Sequence, residues 1–195
     1  MYFYKNTTVF CLIVLFLSVF VSSCKQTEKE EKETQPTSNV IEKPIKVPGF
    51  LLYTLEDKPV SIDDYKGKYV IIHIATTWCP FCNAEAPHLE KLYQDYKERN
   101  VEVMLIDVKE SVELVREKLK DKYNLTFPIL LDINGNVAAS FAPKDVLPDL
   151  ARDEVMLASN ILIDPEGYIQ FMSLLDSKNF DAELIQLKNK LDELL

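Results

Sequence analysis

The sequence predicts an α/β fold, a central mixed β-sheet flanked by helices on both faces, with an N-terminal hairpin and an inserted segment. Three observations point there. Tyr69–Ala75 (YVIIHIA) and Val101–Val108 (VEVMLIDV) are nearly continuous apolar runs, as strands covered on both faces require. Between them, Pro80 to Arg99 sets Leu89, Leu92, Tyr93 and Tyr96 on one helical stripe, so a right-handed crossover joins a parallel pair. Asp164-Pro165-Glu166-Gly167 lies between two apolar runs, with Pro and Gly at the second and fourth places of a type I turn. That pair is expected to be antiparallel.

Taken in order, the chain opens on a targeting segment. Met1 to Lys5 are weakly positive, and Val9–Val21 (VFCLIVLFLSVFV) is almost wholly apolar. At about 1.5 Å per residue this run is short for a hydrocarbon layer of roughly 30 Å. Small residues follow, and Val21-Ser22-Ser23-Cys24 resembles a bacterial lipobox, which makes Cys24 the expected lipidated first residue of the mature chain. An uncleaved anchor would likewise leave the rest outside the cytoplasm. Residues 25–47 are rich in Lys, Glu, Thr, Ser and Pro and cannot bury enough surface to offset their ordering entropy. They are expected to be a tether reaching about 25 Å. The expected division is therefore 1–24 signal peptide, 25–47 tether and 48–195 a single domain.

Within that domain Phe50–Thr54 reads as a strand, with a turn around Glu56–Pro59. After the strand–helix–strand unit, Ser111–Tyr123 carries Val112, Val115, Leu119 and Tyr123 in helical register. Ile129–Leu131 is a short strand before a turn at Asn134-Gly135. Ala142–Leu157 (APKDVLPDLARDEVML) has the look of an insertion. Strands at Ile161–Ile163 and Tyr168–Met172 then lead to a helix over 181–194, with Leu184, Leu187, Leu191 and Leu194 at helical spacing.

Composition removes several function classes. With 22 Lys and Arg against 31 Asp and Glu, the net charge of −9 argues against a nucleic-acid or anionic-lipid surface. Only four glycines and no period argue against repeats or a phosphate-cradling loop. Four cysteines are too few for a disulfide scaffold. If Cys11 leaves with the signal peptide and Cys24 carries lipid, Cys79 and Cys82 remain as the only thiols.

Trp78-Cys79-Pro80-Phe81-Cys82 falls at a strand-to-helix junction. Cys79 there would face unpaired backbone N–H groups and the positive end of the helix dipole, both of which favour its thiolate. Pro80 is tolerated in the first turn. Cys82, one turn inside, is expected to be more buried and less nucleophilic. On this reading Cys79 attacks a substrate disulfide and Cys82 resolves the mixed disulfide. Zinc would need a second ligand pair, so no metal centre is expected.

Pro48–Pro87, with DYKGKYVIIHIATTWCPFCNAEAP at its centre, resembles the thioredoxin-like TlpA/ResA branch of envelope thiol–disulfide oxidoreductases, and Ile161–Gly167 resembles that family's second strand and turn. AhpC/TSA redoxins share the scaffold. The resemblance implies a thioredoxin fold, an envelope location, and disulfide exchange with the thiols or disulfides of exported proteins. It further implies an envelope electron donor and no cofactor beyond a redox-active Cys79–Cys82 disulfide. Cys79, Cys82 and Trp78 match the active-site loop, and Trp78, Pro80 and Phe81 are expected to meet the substrate there. Pro87 matches a helix kink seen across the fold.

Glu85 matches a carboxylate used near the buried cysteine. Its spacing of three from Cys82 puts both on one helix face, so it either accepts the Cys82 proton or is an ordinary solvated glutamate. His73 stands where thioredoxins bury an Asp. It is either a proton carrier or a hydrogen-bonded core histidine. The proline opposite the cysteine pair in this fold falls near Ala158, so the loop that supports substrate departs from the family pattern. A thiol peroxidase of AhpC/TSA type is one alternative, with Thr76 placed as in peroxiredoxins but Ile72 where their motif has Pro. Soft-metal handling of copper, with His73 or His88 as a further ligand, is another. A binding module with a static disulfide is the third.

Overall fold

The computed structural model describes residues 45–142, 159–173 and 180–195. Cys24, Ala158, the signal segment and nearly all of the expected insertion lie outside the described residues.

Among the described residues, eight strands make one mixed sheet: β1 (Ile45–Lys46), β2 (Leu51–Thr54), β3 (Pro59–Ser61), β4 (Tyr69–Ala75), β5 (Val101–Val108), β6 (Ile129–Asp132), β7 (Ser159–Ile163) and β8 (Tyr168–Met172). Their order is β1-β8-β7-β4-β5-β6-β2-β3. β5 runs parallel to β4 and β6, and the remaining pairs are antiparallel. The two most apolar runs thus occupy the centre, where both faces are covered. This is the thioredoxin-type α/β arrangement that the sequence predicts.

Alternation along the strands sorts side chains into two layers. Ile71, Ala75, Val101, Val103 and Leu105 face Leu89 and Leu92 of α1 (Pro80–Tyr96), Val115 of α2 (Val112–Val115) and Leu187 and Leu191 of α4 (Ile185–Leu194). A π-helical stretch, Arg116–Asp121, continues α2 and adds Leu119 to this layer. Val70, Ile72, Ile74, Met104 and Ile106 face the other way, against Phe50, Ile62, Phe141 and Ala138 of α3 (Asn136–Ser140).

Three elements differ from expectation, each for a local reason, while the N-terminal hairpin is present as expected. Ile45–Lys46, expected in the tether, pairs with β8, and the Val47 N–H reaches Gly167 O at 2.9 Å. Both strand residues are exposed, so main-chain pairing holds them without an apolar signal. β3 completes the N-terminal hairpin immediately after the turn, before Ser61 caps the short 3₁₀ helix Ile62–Tyr65. α3 is too short to show a period, and it begins where the Asp132 carboxylate accepts the Ala138 N–H at 2.8 Å. α4 starts at Ile185 rather than 181, because Leu184 takes a left-handed backbone (φ 58°) while Asp181 accepts the Gln186 N–H at 2.8 Å.

Leu89 is wholly buried between α1 and the sheet. Leu89→Ala is expected to lower unfolding free energy by about 2–5 kcal/mol, read as a lower urea midpoint at unchanged slope.

Candidate active site

β4 ends at Ala75, and four residues later the chain is already helical, with Cys79 as the N-cap of α1. This junction is held from two sides. The Glu110 carboxylate accepts the Thr77 N–H at 2.5 Å and the Thr77 hydroxyl at 2.7 Å. From within α1, the Asn83 amide donates to Thr77 O at 2.8 Å and Cys79 O at 2.7 Å. Asn83 Oδ1 is in turn fixed by the Lys122 ammonium at 3.1 Å and the Tyr123 hydroxyl at 2.8 Å. Pro80 sits at the first helical position, where its missing N–H leaves no gap, and the helix continues through Pro87, which is exposed.

Cys79 and Cys82 are in the dithiol form. The Cys82 backbone N–H donates to Cys79 Sγ at 3.3 Å, so the sulfur itself caps the helix. The Cys79 thiol is brought down to about 6, first by the hydrogen bond of the Cys82 thiol and then by the backbone N–H groups of Cys82 and Phe81, against the opposing effect of burial. The expected contrast in burial between the cysteines is not seen, at 2% exposure for Cys79 and 1% for Cys82. A sulfur that caps its own helix is drawn inward over the first turn.

Beneath the pair lies a buried polar cluster. His73 Nδ1 is 2.9 Å from Asn160 Oδ1, and Asn160 Nδ2 donates to Glu85 Oε1 at 2.9 Å. His73 Nδ1 also lies 3.6 Å from Glu85 Oε2. All three residues are 3% exposed or less, so Glu85 is no solvated helix glutamate. Burial, then the negative charges of Cys79 and Asp181, push the Glu85 carboxyl up to about 8, although the Asn160 hydrogen bond opposes them. Burial takes His73 down to about 4, which keeps its imidazole neutral at physiological pH.

The remaining expected residues divide by exposure. Trp78 is 68% exposed beside the buried thiols, Pro80 is exposed, and Phe81 is half-buried with its ring edge-on to Phe180 at 4.8 Å. Asn160, Glu110, Asn83 and Phe180 were not marked by any motif. Asn160 carried one faint signal, a carboxamide opening an otherwise apolar strand. A further acid, Asp107, is buried at the end of β5, and burial followed by the neighbouring Glu110 pushes it up to about 9.

Comparison with known proteins places this geometry in context. The AhpC/TSA family matches residues 45–172. "Thiol-disulfide oxidoreductase ResA" of Bacillus thuringiensis is 33% identical over 122 residues, 63% of this chain and 64% of that protein. The protein of the same name from Halalkalibacterium halodurans is 38% identical over 121 residues, 62% of each chain. The chain thus spans less than two thirds of the length of these curated relatives. Among solved structures, a secreted Mycobacterium tuberculosis disulfide oxidoreductase superposes with a TM-score of 0.58 at 23% identity, covering 74% of this chain and 95% of that one.

Two measurements follow from the geometry. Alkylation of Cys79 is expected to titrate with a midpoint of about 6, and Cys82→Ala is expected to raise that midpoint by removing the largest cause of the shift. A midpoint near that of a simple thiol in the native chain would contradict the capping geometry. The second concerns stability. Folding raises the Glu85 carboxyl from 4.5 to about 8, so the folded chain keeps a proton that the unfolded chain releases. That contribution is full below pH 4.5 and is lost as pH rises through 8. Glu85→Gln is therefore expected to melt above the native protein at pH 8 and together with it at pH 4, by calorimetry.

Proposed function

The chain belongs to the AhpC/TSA family, and on that premise we propose that it is a thiol–disulfide oxidoreductase that exchanges disulfides with exported proteins. The observation that carries this is Cys79 Sγ as the cap of α1, accepting the Cys82 N–H, with a buried carboxyl one turn beyond Cys82. The names of the curated relatives agree with it.

The chemistry runs in two displacements. The Cys79 thiolate attacks one sulfur of a substrate disulfide, and the departing thiolate takes the Glu85 proton. Loss of the Cys79 charge removes one of the influences that hold Glu85 protonated, so the carboxyl gives up that proton more readily at this point. The Glu85 carboxylate then accepts the Cys82 proton, and the Cys82 thiolate attacks Cys79 Sγ. The second substrate thiolate leaves, is protonated by solvent, and the Cys79–Cys82 disulfide remains. Two electrons have passed to the substrate, and an envelope dithiol donor would return them. Exposed Trp78 and Pro80, with Phe81, offer the substrate-facing surface.

In this reading Cys24 carries the lipid that holds the domain at the cell envelope, and residues between it and the sheet act as the tether. The support is the apolar run Val9–Val21 and the Val21-Ser22-Ser23-Cys24 stretch.

Insulin reduction in the presence of dithiothreitol tests the activity. The native chain is expected to accelerate turbidity well beyond dithiothreitol alone, Cys79→Ser to abolish the acceleration, and Cys82→Ser to trap a mixed disulfide on Cys79. A native rate equal to that of dithiothreitol alone would overturn the assignment.

A further inference from the structure

We propose that Asn160 is a positioning residue for this exchange: its amide orients Glu85 and His73 so that Glu85 Oε2, and no atom of His73, gives a proton to the departing substrate thiolate and accepts one from Cys82. This rests on the oxidoreductase reading above and extends it to a residue outside the cysteine motif.

Asn160 stands opposite His73 in the pairing of β7 with β4. Its backbone is pinned on the other side, where its N–H donates to Ser173 Oγ at 3.0 Å and its carbonyl accepts the Ser173 N–H at 2.9 Å. The side chain is therefore presented from a fixed strand. An amide oxygen can only accept, so Asn160 Oδ1 at 2.9 Å requires the single N–H of neutral His73 to sit on Nδ1. With that hydrogen in place Nδ1 has no lone pair to take a proton from Glu85 Oε2, 3.6 Å away. The basic nitrogen, Nε2, is at the other side of the ring and has no hydrogen-bond partner among the described residues.

On the carboxyl, Oε1 is occupied by Asn160 Nδ2–H in either protonation state. The exchangeable proton is left on Oε2, which is buried and has no hydrogen-bond partner among the described residues. The groups facing Glu85 are His73 from β4, Asn160 from β7, the cysteine pair on its own helix, and Asp181 from the segment before α4. Of these, Asn160 is the one that stabilises the carboxylate form. It thus does two things, closing His73 to the proton and keeping Glu85 able to ionise.

The test combines spectroscopy with rate profiles on the full chain. Imidazole ¹⁵N–¹H spectra of the native protein are expected to show His73 as the Nδ1–H tautomer, and an Nε2–H tautomer would overturn the inference. In Asn160→Leu the Glu85 carboxyl ¹³C titration and the matching inflection in the pH profile of insulin reduction are expected to move up by about one unit, from loss of one charge-assisted hydrogen bond. In a Glu85→Gln background Asn160→Leu is expected to leave the pH profile unmoved. A rate lowered equally at every pH with an unmoved inflection would mean a merely structural role and overturn the inference. If Glu85→Gln leaves the native profile intact, the role given to Glu85 fails and this inference with it. If Glu85→Gln removes the inflection while Asn160→Leu leaves it in place, only the role of Asn160 fails.

Discussion

The first turn of α1 has backbone N–H groups that no carbonyl inside the helix can reach, and in this protein a sulfur takes one of them. Cys79 caps the helix with its own side chain at 3.3 Å from the Cys82 nitrogen. A thiolate is a far better acceptor than a thiol, so the same contact that ends the helix tidily also favours the charged form. The contact exists only because β4 runs straight into α1 with four residues between them. Glu110 and Asn83 hold those residues, so the clamp on Thr77 and the capping of α1 belong to one arrangement.

A second constraint opposes the stability of the fold. Three polar side chains, His73, Glu85 and Asn160, are buried among apolar neighbours in the layer between β4, β7 and α1. Burying a carboxyl is costly unless it stays protonated, and near neutrality Glu85 does so. An all-apolar core at these positions would be expected to hold more firmly. A group displaced toward neutral pH and set one turn from Cys82 is what a proton-coupled displacement at sulfur needs. Under the proposed function, retaining it trades stability for reactivity, as active sites commonly do.

Much of the architecture was legible because burial on both faces writes itself into a strand. YVIIHIA and VEVMLIDV could be assigned as central strands from composition alone, and both match the structure residue for residue. The Asp164–Gly167 turn was equally readable, since Pro and Gly have few other uses there. Elements held by main-chain pairing or side-chain caps were not. β1 leaves its one apolar side chain, Ile45, exposed, and α3 is shorter than two helical turns. The start of α4 depends on a left-handed leucine that periodicity treats as an ordinary helical position.

At the site the division follows the same physics. The sequence by itself determined the cysteine spacing, the helix that Cys79 opens and the face shared by Cys82 and Glu85, because all three depend on residues a few positions apart. It could not decide whether Glu85 meets water or is shut in, nor whether His73 is charged. Those answers come from burial beneath α1, against which Asn160, 87 residues from His73 and 75 from Glu85 along the chain, supplies the opposing hydrogen bonds. Local spacing sets which groups can share a helix turn. Only the pairing of β4 with β7 beneath that helix sets how far water is excluded and which hydrogen bonds remain, and these decide where the proton resides.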